Sequence, residues 1–250
     1  MGKAYVITSG KGGTGKTTTA AALSGCLALM GYKTLCLDAD MGLKNLDLCL
    51  GLSDTAIMDF CDVLNGRAKL SESVVSHPKI GNLFFLTAPV SIAPESVDSE
   101  AMQDLVGQIK NEYDYLIIDS PAGIGSGFKL AACGADNALV VATTDCTSYR
   151  DASRIVIELT AMGIKDIRLI VNRVRPSLLS RMKSTIDDAV DATGAQLIGI
   201  IPEDKAVILA ANSGIPLLLY EDRGAAKAYM RTAQRLVGKK VAIRRIRNYV

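Results

Sequence analysis

One histidine, His77, stands in 250 residues, and aromatic side chains make up only 5%. His77 falls in a polar stretch and is read as a surface residue, so no imidazole base is at hand. The six cysteines, at 26, 36, 49, 61, 133 and 146, form no C-x-x-C or C-x-C pair. Several sit in apolar runs such as Leu35-Cys36-Leu37 and are read as reduced, small core side chains of a cytoplasmic protein, with no disulfide framework. No apolar run is long enough to cross a bilayer, and the first residues have the pattern of a strand rather than a signal peptide. A strong charge imbalance is missing too, the net being +2. Lys239, Lys240, Arg244, Arg245 and Arg247, with no acid among residues 239–250, turn a body of −3 into a chain of +2. A mildly acidic body argues against a general nucleic-acid binder.

What is present is 49% hydrophobic residues with few aromatics. That suits a parallel sheet built from Val, Ile, Leu and Ala with helices on both faces. Apolar runs bounded by turn residues predict strands at 4–9, 34–37, 83–87, 115–118, 138–142, 167–171 and 196–201. Helical spacing marks 16–30, 55–65, 98–112, 127–134, 149–162, 178–192, 204–213 and 224–237. The alternation predicts an α/β fold, a doubly wound and mostly parallel sheet flanked by helices, in one domain over 1–238 followed by a short basic tail at 239–250. In such a sheet ligands gather beyond the carboxyl ends of the strands, so the residues leaving each strand are the candidates for function.

The first of these exits carries the strongest signal. Gly10-Lys11-Gly12-Gly13-Thr14-Gly15-Lys16-Thr17 fits G-x-x-x-x-G-K-[ST], set between a strand and a helix, and Thr18 follows it. Four glycines let several backbone N–H groups converge on one anion, and the helix that starts near Lys16 adds its positive end. Lys16 is expected to reach the outer phosphates of a nucleotide, and the Thr17 hydroxyl to bind Mg²⁺. After the second strand come Asp38, Asp40 and Asp47; Asp38 is expected near the metal's water shell, and Asp40 is the candidate for orienting the attacking water. After the strand at 115–118, Asp119 is expected to hold Mg²⁺ through water, and Gly123 to offer a backbone donor to the terminal phosphate. Asn172 and Arg173, with Pro202, Glu203 and Asp204, are placed to flank the base. No N-K-x-D guanine-reading tetrad occurs, which favours ATP.

Lys11 exceeds what a simple phosphate loop needs. The K-G-G-x-G-K-[ST] form resembles the deviant Walker A loop of the MinD/ParA/nitrogenase-iron-protein ATPases. The resemblance implies an ATP-dependent homodimer in which Lys11 reaches across to the partner's nucleotide. The stretches 11–18, 37–52, 113–128, 171–179 and 199–218 together resemble the septum-site-determining MinD ATPases more specifically. That implies a P-loop NTPase fold and a cytoplasmic Mg²⁺-ATPase switch, peripheral on the inner membrane face. The family recruits a MinC-like division inhibitor and is released by a MinE-like activator. The resemblance also places a partner-facing surface at Arg150, Asp151 and Arg154.

The chain departs from the family at its end, which lacks the usual bulky Phe, Leu or Trp. At helical pitch Ile243, Ile246 and Tyr249 fall on one side and Arg244 and Arg247 on the other, a pattern able to lie on anionic lipid. Three rivals share the fold. A DNA-segregation ATPase of the ParA type requires a basic DNA face, which the acidic body lacks. An iron–sulfur carrier requires subunit-bridging cysteines, and Cys133 has no partner at motif spacing. A MinD-like regulator of flagellar number or placement carries an N-terminal extension, whereas here the first strand begins almost at Met1. A binding module without hydrolysis is disfavoured by the joint presence of Lys16, Thr17, Asp40 and Asp119.

Overall fold

The computed structural model describes residues 1–42, 44–179, 181 and 185–243. In chain order the elements are β1 (Lys3–Thr8), α1 (Lys16–Leu29), β2 (Thr34–Asp38), α2 (Leu46–Leu50), α3 (Phe60–Leu64), α4 (Leu70–Ser73), β3 (Val75–Ser76) and β4 (Leu83–Leu86). Then follow α5 (Ser99–Glu112), β5 (Tyr115–Asp119), α6 (Ser126–Ala132), β6 (Asn137–Ala142), α7 (Cys146–Ala161) and β7 (Asp166–Val174). The last are α8 (Pro176–Leu179), α9 (Ile186–Thr193), β8 (Gln196–Pro202), α10 (Lys205–Asn212), α11 (Leu217–Tyr220) and α12 (Gly224–Leu236). The strands form one sheet in the order β3-β4-β2-β5-β1-β6-β7-β8, with β3 alone antiparallel, as the α/β patterning predicts.

Parallel strands covered on both faces read as unbroken apolar runs, and β5 is buried at every position. Alternation divides β1 between two cores. Ala4 and Val6 join Phe60, Met102, Phe128 and Ile155 on one face, while Tyr5 and Ile7 join Leu23, Leu27, Leu217 and Tyr229 on the other. The chain passes from β1 towards β2 on one side of the sheet and later fills in β6, β7 and β8 on the other. The crevice of such a reversal opens at the carboxyl end of β1, where residues 10–17 lie.

Several boundaries differ from expectation. The helix expected over 55–65 is only α3, because Asp59 accepts from the N–H groups of Cys61 and Asp62 and fixes the start there. The helix expected over 178–192 divides into α8 and α9, and Thr185 caps the latter. His77 is not a surface residue. It is buried, its Nε2–H donates to Leu50 O at 3.0 Å, and its Nδ1 accepts from the N–H groups of Lys79 and Ile80. Its polar neighbours in sequence hid this, since the ring serves backbone groups of a turn. Nor are all six cysteines core side chains: Cys26, Cys36 and Cys61 are buried, Cys49 and Cys133 half-buried, and Cys146 is exposed.

After α12 the chain turns at Gly238, whose φ of 86° is left-handed. Residues 239–243 are irregular, so the helical pitch read for the tail does not include Ile243, which is exposed. The Arg235 guanidinium explains this locally: it donates to Val241 O at 2.8 Å, Ala242 O at 3.1 Å and Ile198 O at 2.6 Å. The proposed lipid-facing Arg244, Ile246, Arg247 and Tyr249 lie outside the described residues. Among those described, no helix is long and apolar enough to cross a membrane.

The contact of α12 with β8 is tight at one point. A Cβ on Gly199 would lie 2.5 Å from Thr232 Oγ1 and 2.9 Å from its Cγ2. Gly199→Ala is therefore expected to destabilise the fold by about 1–3 kcal/mol. Adding Thr232→Ala should return part of that loss, as read from urea midpoints of the two single variants and the double.

Candidate functional site

Residues 10–17 wrap the crevice as the sequence predicts. Gly15, in the left-handed region with φ 91°, precedes α1 and contributes no side-chain cap, and the first turn of the helix holds no acid. The leading N–H groups of α1 are thus left to an anion. Gly10 is required for a different reason: a Cβ there would lie 2.5 Å from the Cβ of Asp151 on α7. Lys16 is buried, and its pKa is lowered by burial against the opposing pull of Asp119 and Asp40. Gly12, Gly13 and Lys11 are exposed, and Lys11 faces outward along the loop's rim. The two lysines of the motif therefore differ in environment, one buried and one exposed.

The acids converge because of sheet register. Asp38 ends β2 opposite Asp119 at the end of β5, and both are buried. Burial and then the Asp119 charge raise the Asp38 pKa from the ordinary 3.8 to about 8, although the Asp40 N–H donates to its Oδ1 at 2.9 Å. Burial likewise raises Asp119 to about 7, against hydrogen bonding from Thr17 and the Lys16 charge. Asp119 Oδ1 is buried without a hydrogen-bond partner, as are Thr8 Oγ1 and Thr14 Oγ1. A buried unpaired carboxylate oxygen beside Thr17 fits a divalent cation. Among the described residues no three His, Cys, Asp or Glu side chains converge as a metal cage. Asp40 is half-buried, its Oδ1 accepting from Gly42 N–H at 3.2 Å.

A cleft of 290 Å³ beside the loop is lined by Gly13, Gly15, Thr18, Asn172, Arg173, Pro202, Glu203, Asp204 and Tyr229. All five sequence candidates for flanking a base meet here, yet the side chains of four, Asn172, Arg173, Glu203 and Asp204, are already engaged. Asn172 Nδ2 donates to Thr14 O at 2.8 Å. Arg173, at a left-handed φ of 54°, donates to Gly13 O at 3.0 Å and to Glu203 Oε1 at 3.1 Å, and Arg175 also pairs with Glu203. Asp204 caps α10 through Ala206 N–H and receives Ala225 N–H, both at 2.9 Å, so its carboxylate joins two helix starts and only its position lines the cleft. Gly123 also differs from expectation. Its N–H donates to Ser9 O at 3.0 Å, which ties the Asp119 loop to the start of the phosphate loop and leaves that donor engaged.

Sequence reading missed two groups. Thr143, Thr144 and Asp145 follow β6 and share a 390 Å³ concavity with Lys11 and Arg175. Burial opposes ionisation of Asp145, but hydrogen bonds from the Thr143 and Thr147 hydroxyls and the Ser148 N–H, with Lys11 nearby, hold it down at about 2. The rule that strand exits carry function pointed there without naming them. Tyr229 and Thr19 had no local signal, lying in apolar helical patterns. Of the candidate partner surface on α7, Arg150 and Arg154 are exposed and Asp151 is half-buried against Gly10.

The raised carboxyls have a measurable consequence. Between their unfolded and folded pKa values the native state binds more protons than the unfolded state, so stability falls as pH rises through that window. The melting temperature of the nucleotide-free protein is expected to decline from about pH 5 to about pH 8, and Asp38→Asn to flatten the decline. Addition of Mg²⁺ with nucleotide should flatten it too, by favouring the ionised acids; differential scanning fluorimetry across that range reads all three.

Known proteins resemble the chain over nearly its whole length. The model of the CobQ/CobB/MinD/ParA nucleotide binding domain matches residues 5–217. The septum site-determining protein MinD of Bacillus subtilis is 40% identical over 246 residues, covering 97% of this chain and 92% of that protein. The MinD chain of the Aquifex aeolicus MinC:MinD cell division complex superposes with a TM-score of 0.90 at 39% identity, over 97% of this chain and 98% of that one. The Pyrococcus horikoshii MinD complexed with Mg-ADP superposes at 0.84 and 30% identity, over 96% of this chain and all of that one. On these matches over nearly its full length, the chain belongs to the MinD septum site-determining ATPases of the CobQ/CobB/MinD/ParA nucleotide-binding family.

Proposed function

We propose that this protein is an Mg²⁺-ATP-dependent switch that dimerises on ATP, attaches to the inner face of the cell membrane and positions the division septum by recruiting an inhibitor. One observation carries the reading: Lys16 is buried towards Asp119 while Lys11, in the same loop, is exposed at its rim. A lysine facing outward beside a phosphate site is in place for a neighbouring molecule's phosphates. Residues 10–18 hold the triphosphate, with Lys16 on its outer oxygens. Thr17 ligates Mg²⁺, while Asp38 and Asp119 bear on its water shell. Mg²⁺ supplies neutralisation of charge on the phosphate oxygens. Asp40 orients the attacking water, and Asn172, Arg173, Pro202, Glu203 and Asp204 bound the base. Gly123 serves the terminal phosphate only after its bond to Ser9 O opens, which makes that bond the point at which the loop senses phosphate.

The MinC in the Aquifex aeolicus complex supports a MinC-like inhibitor as partner, and the Mg-ADP of the Pyrococcus horikoshii protein supports the metal–nucleotide pair. Arg150, Asp151 and Arg154 form the docking surface for that inhibitor and for a MinE-like activator. The body at 1–238 acts as the switch. The tail at 239–250 holds anionic lipid through Ile243, Ile246 and Tyr249 with Arg244 and Arg247. One short tail binds weakly, and two in a dimer gain from effective concentration.

Lys11→Ala is expected to bind ATP within about threefold of the parent, a single exposed charge being worth little to its own site. It should nevertheless remain a monomer in ATP and Mg²⁺ by light scattering; a dimer equal to the parent's refutes the role given to Lys11. Removal of 239–250 should abolish ATP-dependent sedimentation with anionic vesicles and leave nucleotide binding intact. Equal sedimentation by the shortened chain removes the tail from the mechanism.

A further inference from the structure

Two carbonyl oxygens at the end of the phosphate loop are held by side chains that meet at one hydroxyl. Asn172 Nδ2 donates to Thr14 O at 2.8 Å, and Thr19 Oγ1 donates to Gly15 O at 2.8 Å. The Tyr229 hydroxyl, on α12 and fully buried, lies 3.1 Å from Thr19 Oγ1 and 3.5 Å from Asn172 Oδ1. Thr19 gives its only hydroxyl proton to Gly15 O, so the single Tyr229 O–H proton is shared between Thr19 Oγ1 and Asn172 Oδ1.

The consequence follows from peptide geometry. In a planar trans peptide the C=O and the following N–H point in opposite directions. Asn172 fixes Thr14 O on its own side of the loop and so turns the Gly15 N–H to the opposite side, while Gly15 O, which accepts from Thr19 Oγ1 and also from the Thr19 N–H at 2.9 Å, orients the Lys16 N–H. Both are donors that an anion at a helix start needs. Gly15 lacks the Cβ that would otherwise sit 2.3 Å from Asn172 Nδ2, so the amide is able to press against the loop.

We propose that Tyr229 is a positioning residue for the phosphate site, acting through Thr19 and Asn172 to orient the peptides that bind the anion. It rests on residues 10–17 being the triphosphate site. Tyr229→Phe keeps the ring in the base cleft and removes the hydroxyl. Loss of one buried hydrogen bond of about 1 kcal/mol corresponds to about a fivefold loss of affinity. That loss is expected equally for ATP and for inorganic tripolyphosphate, with adenosine binding unchanged, all measured by calorimetry. Thr19→Val should reproduce it, and Thr19→Ser, which keeps the hydroxyl, should retain parental affinity. The Gly15 and Lys16 amides should also exchange hydrogen faster in Tyr229→Phe than in the parent.

Parental affinity for tripolyphosphate in Tyr229→Phe overturns the proposal. So does a loss confined to ATP and adenosine, which assigns Tyr229 to the base alone, or a lowered melting temperature with unchanged affinities, which makes it merely structural. Failure of the parent itself to bind ATP or tripolyphosphate overturns the reading of the loop, a result separate from any difference between variant and parent.

Discussion

Unsatisfied backbone donors at the carboxyl end of β1 set the terms for the rest of the molecule. A loop whose last residue is a left-handed glycine cannot cap the helix it opens, and no acid in the first turn of α1 takes up that duty. The crevice therefore concentrates positive potential from peptide dipoles, with Lys16 drawn into it. Arg173 and Asn172 take carbonyls of the loop from one side, and Ser9 accepts the Gly123 N–H from the other.

The sheet supplies the opposite charge by register alone. Because β2 and β5 run parallel and in step, the last residues of both are carboxylates at one level, each buried and each reluctant to ionise unaided. Such a pair costs free energy in the ligand-free protein. It is a reservoir that a dication can draw on, and the unpartnered Asp119 oxygen marks where. Affinity for metal and nucleotide together is in this way partly set by how uncomfortable the acids are without them.

Much of this was legible beforehand because it is local in the chain. The phosphate loop, the acid ending an apolar strand and the alternation of strands with helices are each written within about twenty residues. All seven expected strands occur, and the eighth, β3, is two residues long and below the reach of any periodicity. What could not be read is long-range. His77 sits among polar neighbours and is buried by the end of α2. Asp204 looks like a cleft acid and instead joins the starts of α10 and α12. Asn172 has the right position beside the base cleft, but its amide hydrogen goes to a carbonyl 158 residues earlier. The irregular course of residues 239–243 is of the same kind, since Arg235 takes backbone carbonyls there that no side-chain pattern reveals.

The hydroxyl of Tyr229 meets a threonine 210 residues upstream, across nearly the whole length of the chain. During synthesis the glycine-rich loop leaves the ribosome well before the helix that carries Tyr229, since 210 residues separate the two hydroxyls. A nascent chain thus exposes the nucleotide motif long before it owns the finished pocket. A chain stopped short of α12 would carry the phosphate-loop sequence without the hydroxyl that Thr19 and Asn172 meet.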